Sequence, residues 1–317
     1  MTGRAWEKEA VDLDPVFIVG DLRSGTSILY RSIQSHPSFL PTTGLNVVES
    51  NAMELLLGLF GPQDAQPSPL SHFAMGVDAV VEVGRDVSSI RARRKVVRAL
   101  ARGQIQRLGI WKAAGEQHVV RRYFLEAHRR RGARRLLEKT PRHLPWVPHL
   151  GSAFSNARFV FIMRHPLDAL SSWWRRSAAD PEFSSWANIG VDQFIHHWMR
   201  SIHLATSMAE RDPRLLLIRY EDFTKDTEGT VRRVLNHVAE PFDEACLLRG
   251  PEVEIPAALR GIPQVEAVRK VDPLLFGSPI ENTKRWADQI DSDTAARVEA
   301  KLKDAMALVG YAPASAG

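Results

Sequence analysis

The stretch Val19–Tyr30, VGDLRSGTSILY, carries the pieces of a loop that can hold a phosphate. Gly20 and Gly25 have the spacing of a nucleotide-binding glycine loop, and Thr26 and Ser27 close it with two hydroxyls. A kinase would place a lysine directly after the second glycine. Thr26 stands there instead, and the loop's cation is Arg23. Backbone N–H groups at the start of a following helix would face an anion, with Gly25 permitting close approach. A plain strand-to-helix turn capped by Thr26 has the same pattern, so the loop alone does not decide.

A second cluster lies in FVFIMRHPLDALSSWWRR. Arg164 ends a predicted strand and Pro166 opens the helix after it. Ser172 and Arg176 stand four residues apart on one face of that helix. Cation, hydroxyl and cation converge, which suits a second phosphate. A third stretch, IRYEDF (218–223), ends a strand at the same sheet edge, where open α/β folds bind ligands. A fourth, EKTPRH, places Glu138, Lys139 and His143 just past a strand end.

The elements that must position these residues follow from the apolar pattern. VFIVG (16–20), LLE (136–138), RFVFIMR (158–164) and LLLIRY (215–220) are near-continuous apolar runs, the signature of parallel strands buried on both faces. Between them come helical repeats. Thr26 to Ser35 carries Leu29 and Ile33 on one face and stops at His36-Pro37. Val231, Val234, Leu235 and Val238 recur at helical spacing. A last helix, with Ser292 as its N-cap, buries Val298, Leu302, Met306 and Val309 before Gly310 ends it. The alternation predicts an α/β fold: a P-loop-like sandwich with a central, mainly parallel sheet and helices on both faces. One domain covers 1–317, with lid or loop regions near 41–75 and 250–290, where Gly and Pro break the pattern.

Composition narrows the partners. Of 317 residues, 44% are hydrophobic and 25% charged, which fits a soluble globular chain. Cys246 is the one cysteine, which excludes an internal disulfide framework and favours a reducing compartment. The first residues mix charges without an apolar segment, and no apolar run nears the ~20 residues of a membrane helix. A cytoplasmic chain without a membrane span is expected. The net charge of +5 is concentrated in RARRKVVR (91–98) and RRYFLEAHRRRGARR (121–135). Both read as solvated basic helix faces. Aromatics are not interleaved as a single-strand binder requires, so no nucleic-acid partner is expected.

LRSGTS with its downstream HP, then EKTP (138–141), RHPLDALSS and YEDF, in that order over most of 15–225, resemble the PAPS-dependent sulfotransferases. The likeness is to the branch of tyrosylprotein sulfotransferases and many bacterial enzymes, whose loop cation is Arg. The resemblance implies PAPS as cofactor, PAP as product and no metal. It implies that Arg23, Ser24, Gly25, Thr26 and Ser27 hold the 5′-phosphosulfate. Arg164, Ser172 and Arg176 would hold the 3′-phosphate, with Tyr220 beside the adenine. SPIENTKRW resembles the segment that closes over the cofactor, making Ser278, Lys284 and Arg285 candidate contacts. Ile28 replaces an aromatic that flanks adenine in the cytosolic branch.

The implied reaction is in-line transfer of a sulfuryl group to a hydroxyl of a small-molecule or peptidyl acceptor. A P-loop kinase-like nucleotide enzyme is the alternative. A kinase neutralises a triphosphate with lysine and magnesium. PAPS lacks a γ-phosphate, and the charge that grows on its bridging oxygen calls for one aimed cation. Arg23 suits that task and is charged at any working pH. Lys139 matches a family lysine that stabilises the transferring group. The acceptor must lose a proton to a general base. His143 has a suitable ordinary pKa and lies four residues from Lys139; Glu49, in the lid-like stretch, is its rival. The directly matching position for the glutamate of tyrosylprotein sulfotransferases is Gly44. Trp111, Trp173, Trp174, Trp186, Phe194 and Trp198 would line an apolar acceptor pocket or fill the core.

Overall fold

In the computed structural model, the described residues are 13–21, 23–40, 120–121, 124–125, 128, 132–179, 189–247 and 285–314. Glu49, Ser278 and Lys284 lie outside them, as do all of 41–75, most of 250–290, Trp111 and Trp186. Arg285 is described by its backbone, which opens the 3-10 turn Arg285–Asp288.

Four strands form a sheet in the order β2-β1-β3-β4. They are β1 (Val16–Gly20), β2 (Leu137–Lys139), β3 (Arg158–Met163) and β4 (Leu215–Arg219). Every pairing is parallel, with Val16 opposite both Leu137 and Arg158, and Phe159 opposite Leu215. The strands alternate between two cores, as the two-residue period of a strand demands. Val16, Ile18, Val160, Ile162 and Ile218 face one side, where α1 (Thr26–Gln34) and α6 (Thr227–His237) bring Leu29, Ile33, Val231, Val234 and Leu235. Phe17, Val19, Phe159, Phe161 and Met163 face the other. There α2 (Val147–Ala153), α4 (Val191–Ala209) and α7 (Ser292–Leu308) supply Leu150, Trp198, Ile202, Val298 and Leu302. The Phe17 and Phe159 rings stack across the strand pair at 5.5 Å, with Phe124 edge-on to Phe17 at 5.2 Å. Burying each such side chain contributes about 1.5–3 kcal/mol.

Further helices among the described residues are α3 (Pro166–Ala179) after β3 and the short α5 (Tyr220–Lys225) after β4. Helices therefore cover both faces of a parallel sheet, as expected. Several boundaries differ from the sequence reading; β2 begins at Leu137 rather than Leu136, and α1 ends at Gln34 with Ser35 as its C-cap. β2 runs one residue further, because Ile18 pairs with Lys139, so Lys139 belongs to the strand. β3 stops at Met163, leaving Arg164 just beyond it, and β4 stops at Arg219, so that Tyr220 opens α5. The N-cap of α7 is Asp291 rather than Ser292: its carboxylate accepts the Thr294 N–H at 2.8 Å. Gly310, at φ 73°, ends α7. The Tyr311 N–H reaches back to the Met306 carbonyl (3.0 Å) and the Gly310 N–H to Ala307 (3.2 Å), a Schellman turn.

The second basic run is not a simple solvated face. Arg135 donates to the carbonyls of Asp14 and Val238 and to Glu240, and Arg134 donates to Glu240 and Ser38. Arg121 donates to the Ala153 carbonyl. These arginines fasten the end of the sheet where β1 and β3 begin.

Candidate active site

At the other end of the sheet, β1 runs into the glycine loop and α1. Gly20 has no room for a side chain: a Cβ there would lie 2.7 Å from the Ile162 carbonyl and from Thr26 Cγ2. Gly25 is fixed by two constraints together. Its φ is 97°, and a Cβ would stand 2.4 Å from the Tyr220 ring. Asp21's carbonyl accepts from the Ser24 hydroxyl (2.6 Å) and the Ser24 N–H (3.3 Å), which tightens the turn between the glycines. Arg23 sits in that turn at φ 68°, a left-handed conformation that costs a residue with a side chain about 1–3 kcal/mol. Gly25 is the N-cap of α1. A glycine there brings no side chain to the first amides, and that opening suits an anion.

Six side chains meet around this opening. Arg23 donates through Nε to Ser172 Oγ of α3 (3.2 Å). Lys139, from β2, donates through Nζ to Ser27 Oγ of α1 (3.1 Å). The Arg164 guanidinium lies 4.4 Å from the centre of the Tyr220 ring, the same ring that Gly25 faces. Arg164, Ser172 and Lys139 are all buried, as are Ser24 and Thr26, and Arg176 follows Ser172 by one turn of α3, half-buried. The loop cluster and the β3–α3 cluster are thus one site. Two hydroxyls and an aromatic ring thus help to orient these cations.

Behind Lys139 lies a polar pair. Glu138 accepts from Thr140 Oγ1 through one oxygen and bonds His143 Nδ1 through the other (3.2 Å). Both Glu138 and His143 are buried, His143 wholly. This contact uses Nδ1 and leaves Nε2 as the ring nitrogen turned away from Glu138. Of the aromatics proposed for an acceptor pocket, Phe194 and Trp198 are in the core, Trp173 is buried and Trp174 packs partly against the core.

Two residues escaped the sequence reading. Glu221, inside the quoted YEDF, accepts the His165 N–H at 2.9 Å through one oxygen and the Tyr311 hydroxyl at 2.7 Å through the other. Tyr311 follows the helix-ending Gly310, and nothing in its spacing ties it to β3. Burial, then the Glu221 charge and the hydrogen bond to it, push the Tyr311 phenol well above its ordinary range, so it is a donor at any working pH. Among the described residues, no group of three or more His, Cys, Asp or Glu is placed to hold a metal ion. No described helix is long and apolar enough to cross a membrane.

The model of the sulfotransferase family matches residues 15–244, and the chain belongs to that family. It is similar to sulfotransferase 2A6 of Mus musculus, 29% identical over 107 residues, which are 31% of this chain and 37% of that protein. The Rattus norvegicus sulfotransferase 2A6 is 30% identical over 111 residues, 32% of this chain and 38% of that protein. The match thus spans little more than a third of those relatives. In fold, the chain resembles the sulfotransferase domain of the Synechococcus PCC 7002 olefin synthase, with a TM-score of 0.53, 19% identity and 94% of each chain covered. It equally resembles a sulfotransferase domain of the curacin biosynthetic pathway, with a TM-score of 0.54, 18% identity, and 91% of this chain and 97% of that one covered.

Proposed function

We propose that this chain transfers a sulfuryl group from PAPS to a hydroxyl of a small-molecule or peptidyl acceptor, as one domain over 1–317. The observation that carries the reading is the Arg23–Ser172 bond, which joins two anion-binding clusters at the start of one helix. The residues fit the cofactor: the glycine-capped helix start suits a phosphate, and the bare Gly25 lies against an aromatic face, Tyr220. Arg23, Ser24, Gly25, Thr26 and Ser27 would hold the 5′-phosphosulfate end. Arg164, Ser172 and Arg176 would hold the 3′-phosphate, and Tyr220 would flank the adenine. Ser278, Lys284 and Arg285 are proposed as contacts of a closing segment. PAPS, when bound, supplies a sulfuryl group whose bond to a phosphate oxygen breaks on transfer. Arg23 stabilises negative charge on that oxygen, and Lys139, oriented by Ser27, adds positive charge beside it.

His143 is proposed as the general base. Glu138 orients its ring and supports the proton that Nε2 receives, the role a carboxylate takes behind a catalytic histidine. Because the ring is enclosed, the acceptor hydroxyl must enter the same enclosure. Glu49 is the competing base. Membership of the sulfotransferase family disfavours the kinase-like reading.

The experiment is a thermal-shift comparison of PAP without magnesium against MgATP. PAP at 100 times its dissociation constant should stabilise by about 2.7 kcal/mol. A shift with MgATP and none with PAP would overturn the proposal.

A further inference from the structure

The peptide unit between Arg164 and His165 is gripped from both sides. Its carbonyl accepts the Trp198 indole N–H at 3.1 Å, and its N–H donates to Glu221 Oε1 at 2.9 Å. This unit leaves the sheet at the end of β3 and enters α3 at Pro166, so neither bond belongs to a strand ladder or a helix. An arginine side chain is aimed by the backbone that bears it. Fixing this one peptide plane fixes the direction from which Arg164 reaches the Tyr220 ring.

Tyr311 touches both halves of the grip. Its hydroxyl donates to the second oxygen of Glu221 (2.7 Å), its ring lies 6.4 Å from the Trp198 ring, and the His165 ring stands edge-on to it at 5.4 Å. Tyr311 is itself held. The Schellman turn at Gly310 folds it back beneath α7. Arg219, the last residue of β4, donates to the Gly310 carbonyl (2.8 Å) and lays its guanidinium 4.7 Å from the Tyr311 ring. One residue further, the Ala312 carbonyl meets His165 Nε2 at 3.3 Å. The phenol's raised pKa keeps it a donor to Glu221.

We propose that Tyr311 is a positioning residue for nucleotide recognition: through Glu221 and Trp198 it sets the Arg164–His165 peptide and so aims Arg164 at the 3′-phosphate. This rests on the assignment of Arg164 to that phosphate. Tyr311 does not touch the nucleotide. It selects for the 3′-phosphate by holding still the residue that does. Glu221 serves by shape as well as charge, because it must accept two hydrogen bonds at once, one from a backbone amide and one from a phenol.

The test compares affinities for PAP and for AMP, which lacks the 3′-phosphate, by titration calorimetry on the full chain. In the unaltered protein PAP should bind much more tightly than AMP. Tyr311→Phe should weaken PAP about tenfold, the size of one hydrogen bond to a charged group, and leave AMP within about twofold. Glu221→Ala should do the same. Glu221→Gln should retain most of the preference, since its carbonyl still accepts the His165 N–H while its amide can donate to the phenol oxygen. A merely structural role for Tyr311 would move both ligands together or neither, and either result overturns the inference. If the unaltered protein does not prefer PAP over AMP, the 3′-phosphate assignment fails and the inference falls with it. If it does prefer PAP and Tyr311→Phe keeps that preference, the inference alone fails. Should Tyr311→Phe not fold, the contrast between Glu221→Gln and Glu221→Ala reads the same grip, and equal preference in the two overturns it.

Discussion

The two ends of the sheet both gather arginines, and the contacts described at each end differ in kind. Where β1 and β3 begin, Arg135 meets Glu240 at 2.8 Å and Arg134 meets it at 2.7 Å, with Ser38 bonded to the same carboxylate. Where the strands end, Arg23 meets a serine hydroxyl, Lys139 another, and Arg164 a tyrosine ring. A carboxylate cancels the charge it pairs with. Hydroxyls and rings hold a cation in place by orienting it. The arginines where the strands begin fasten the fold, and those where the strands end are proposed to meet a phosphate.

The sharpest way to break this comparison is Arg135→Ala. Its removal leaves the Asp14 and Val238 carbonyls without this donor and Glu240 with only Ser38 and the exposed Arg134, and urea unfolding should show a loss of about 1–3 kcal/mol. Turnover measured well below the unfolding midpoint should hold, since Arg135 is far from the glycine loop. A stable variant would show that the lower cluster is as replaceable as a surface pair. Next comes the proton acceptor: His143→Ala should cost roughly 10²–10⁴-fold in turnover with PAP binding retained. Near-normal turnover in that variant, with loss in Glu49→Ala, would transfer the role to Glu49. Arg23→Ala should lower turnover by roughly 10²–10³-fold, the scale of one lost charge-stabilising donor. Its unfolding midpoint should fall little, in contrast with Arg135→Ala.

The smallest effect is on pH. Burial would raise the Glu240 carboxyl, but hydrogen bonds from Arg135 and Ser38, with the charges of Arg135 and Arg134, hold it below the ordinary range. A lowered folded-state pKa contributes stability that is complete above the unfolded value, about 4.3, and is lost as pH falls through the folded one. Acid unfolding of Glu240→Gln should therefore lose this part of its pH dependence between about pH 4.3 and the onset of acid unfolding. Unchanged acid curves would show that the pair does not sense pH.

Much of the ligand end was legible because it is local. Gly20, Arg23, Gly25 and Ser27 share one short stretch, and Ser172 and Arg176 share one helix face, so spacing alone places them. The four strands were legible because a strand buried on both faces must be apolar throughout. What spacing could not show is long-range. The Arg23–Ser172 bond joins residues that only the β1–β3 pairing makes neighbours. The second arginine run looked solvated because its acid, Glu240, comes far later in the chain. Tyr311 was invisible for the same reason. The Asp291 cap of α7 was misplaced by one residue because Ser and Asp stand side by side and both can accept from the first turn.

The strand order has a consequence for how the chain assembles. β3 pairs with β4 over a short stretch of chain, Phe159 to Leu215, while β1 must find partners as distant as Leu137 and Arg158. Contacts between distant residues cost more loop-closure entropy and slow folding. The strand that carries the glycine loop is thus expected to insert after the β3–β4 ribbon, between it and β2. Until it does, Arg23 and Ser172 are far apart. A partly folded chain, whatever sheet it has already built, carries only half of the proposed anion site.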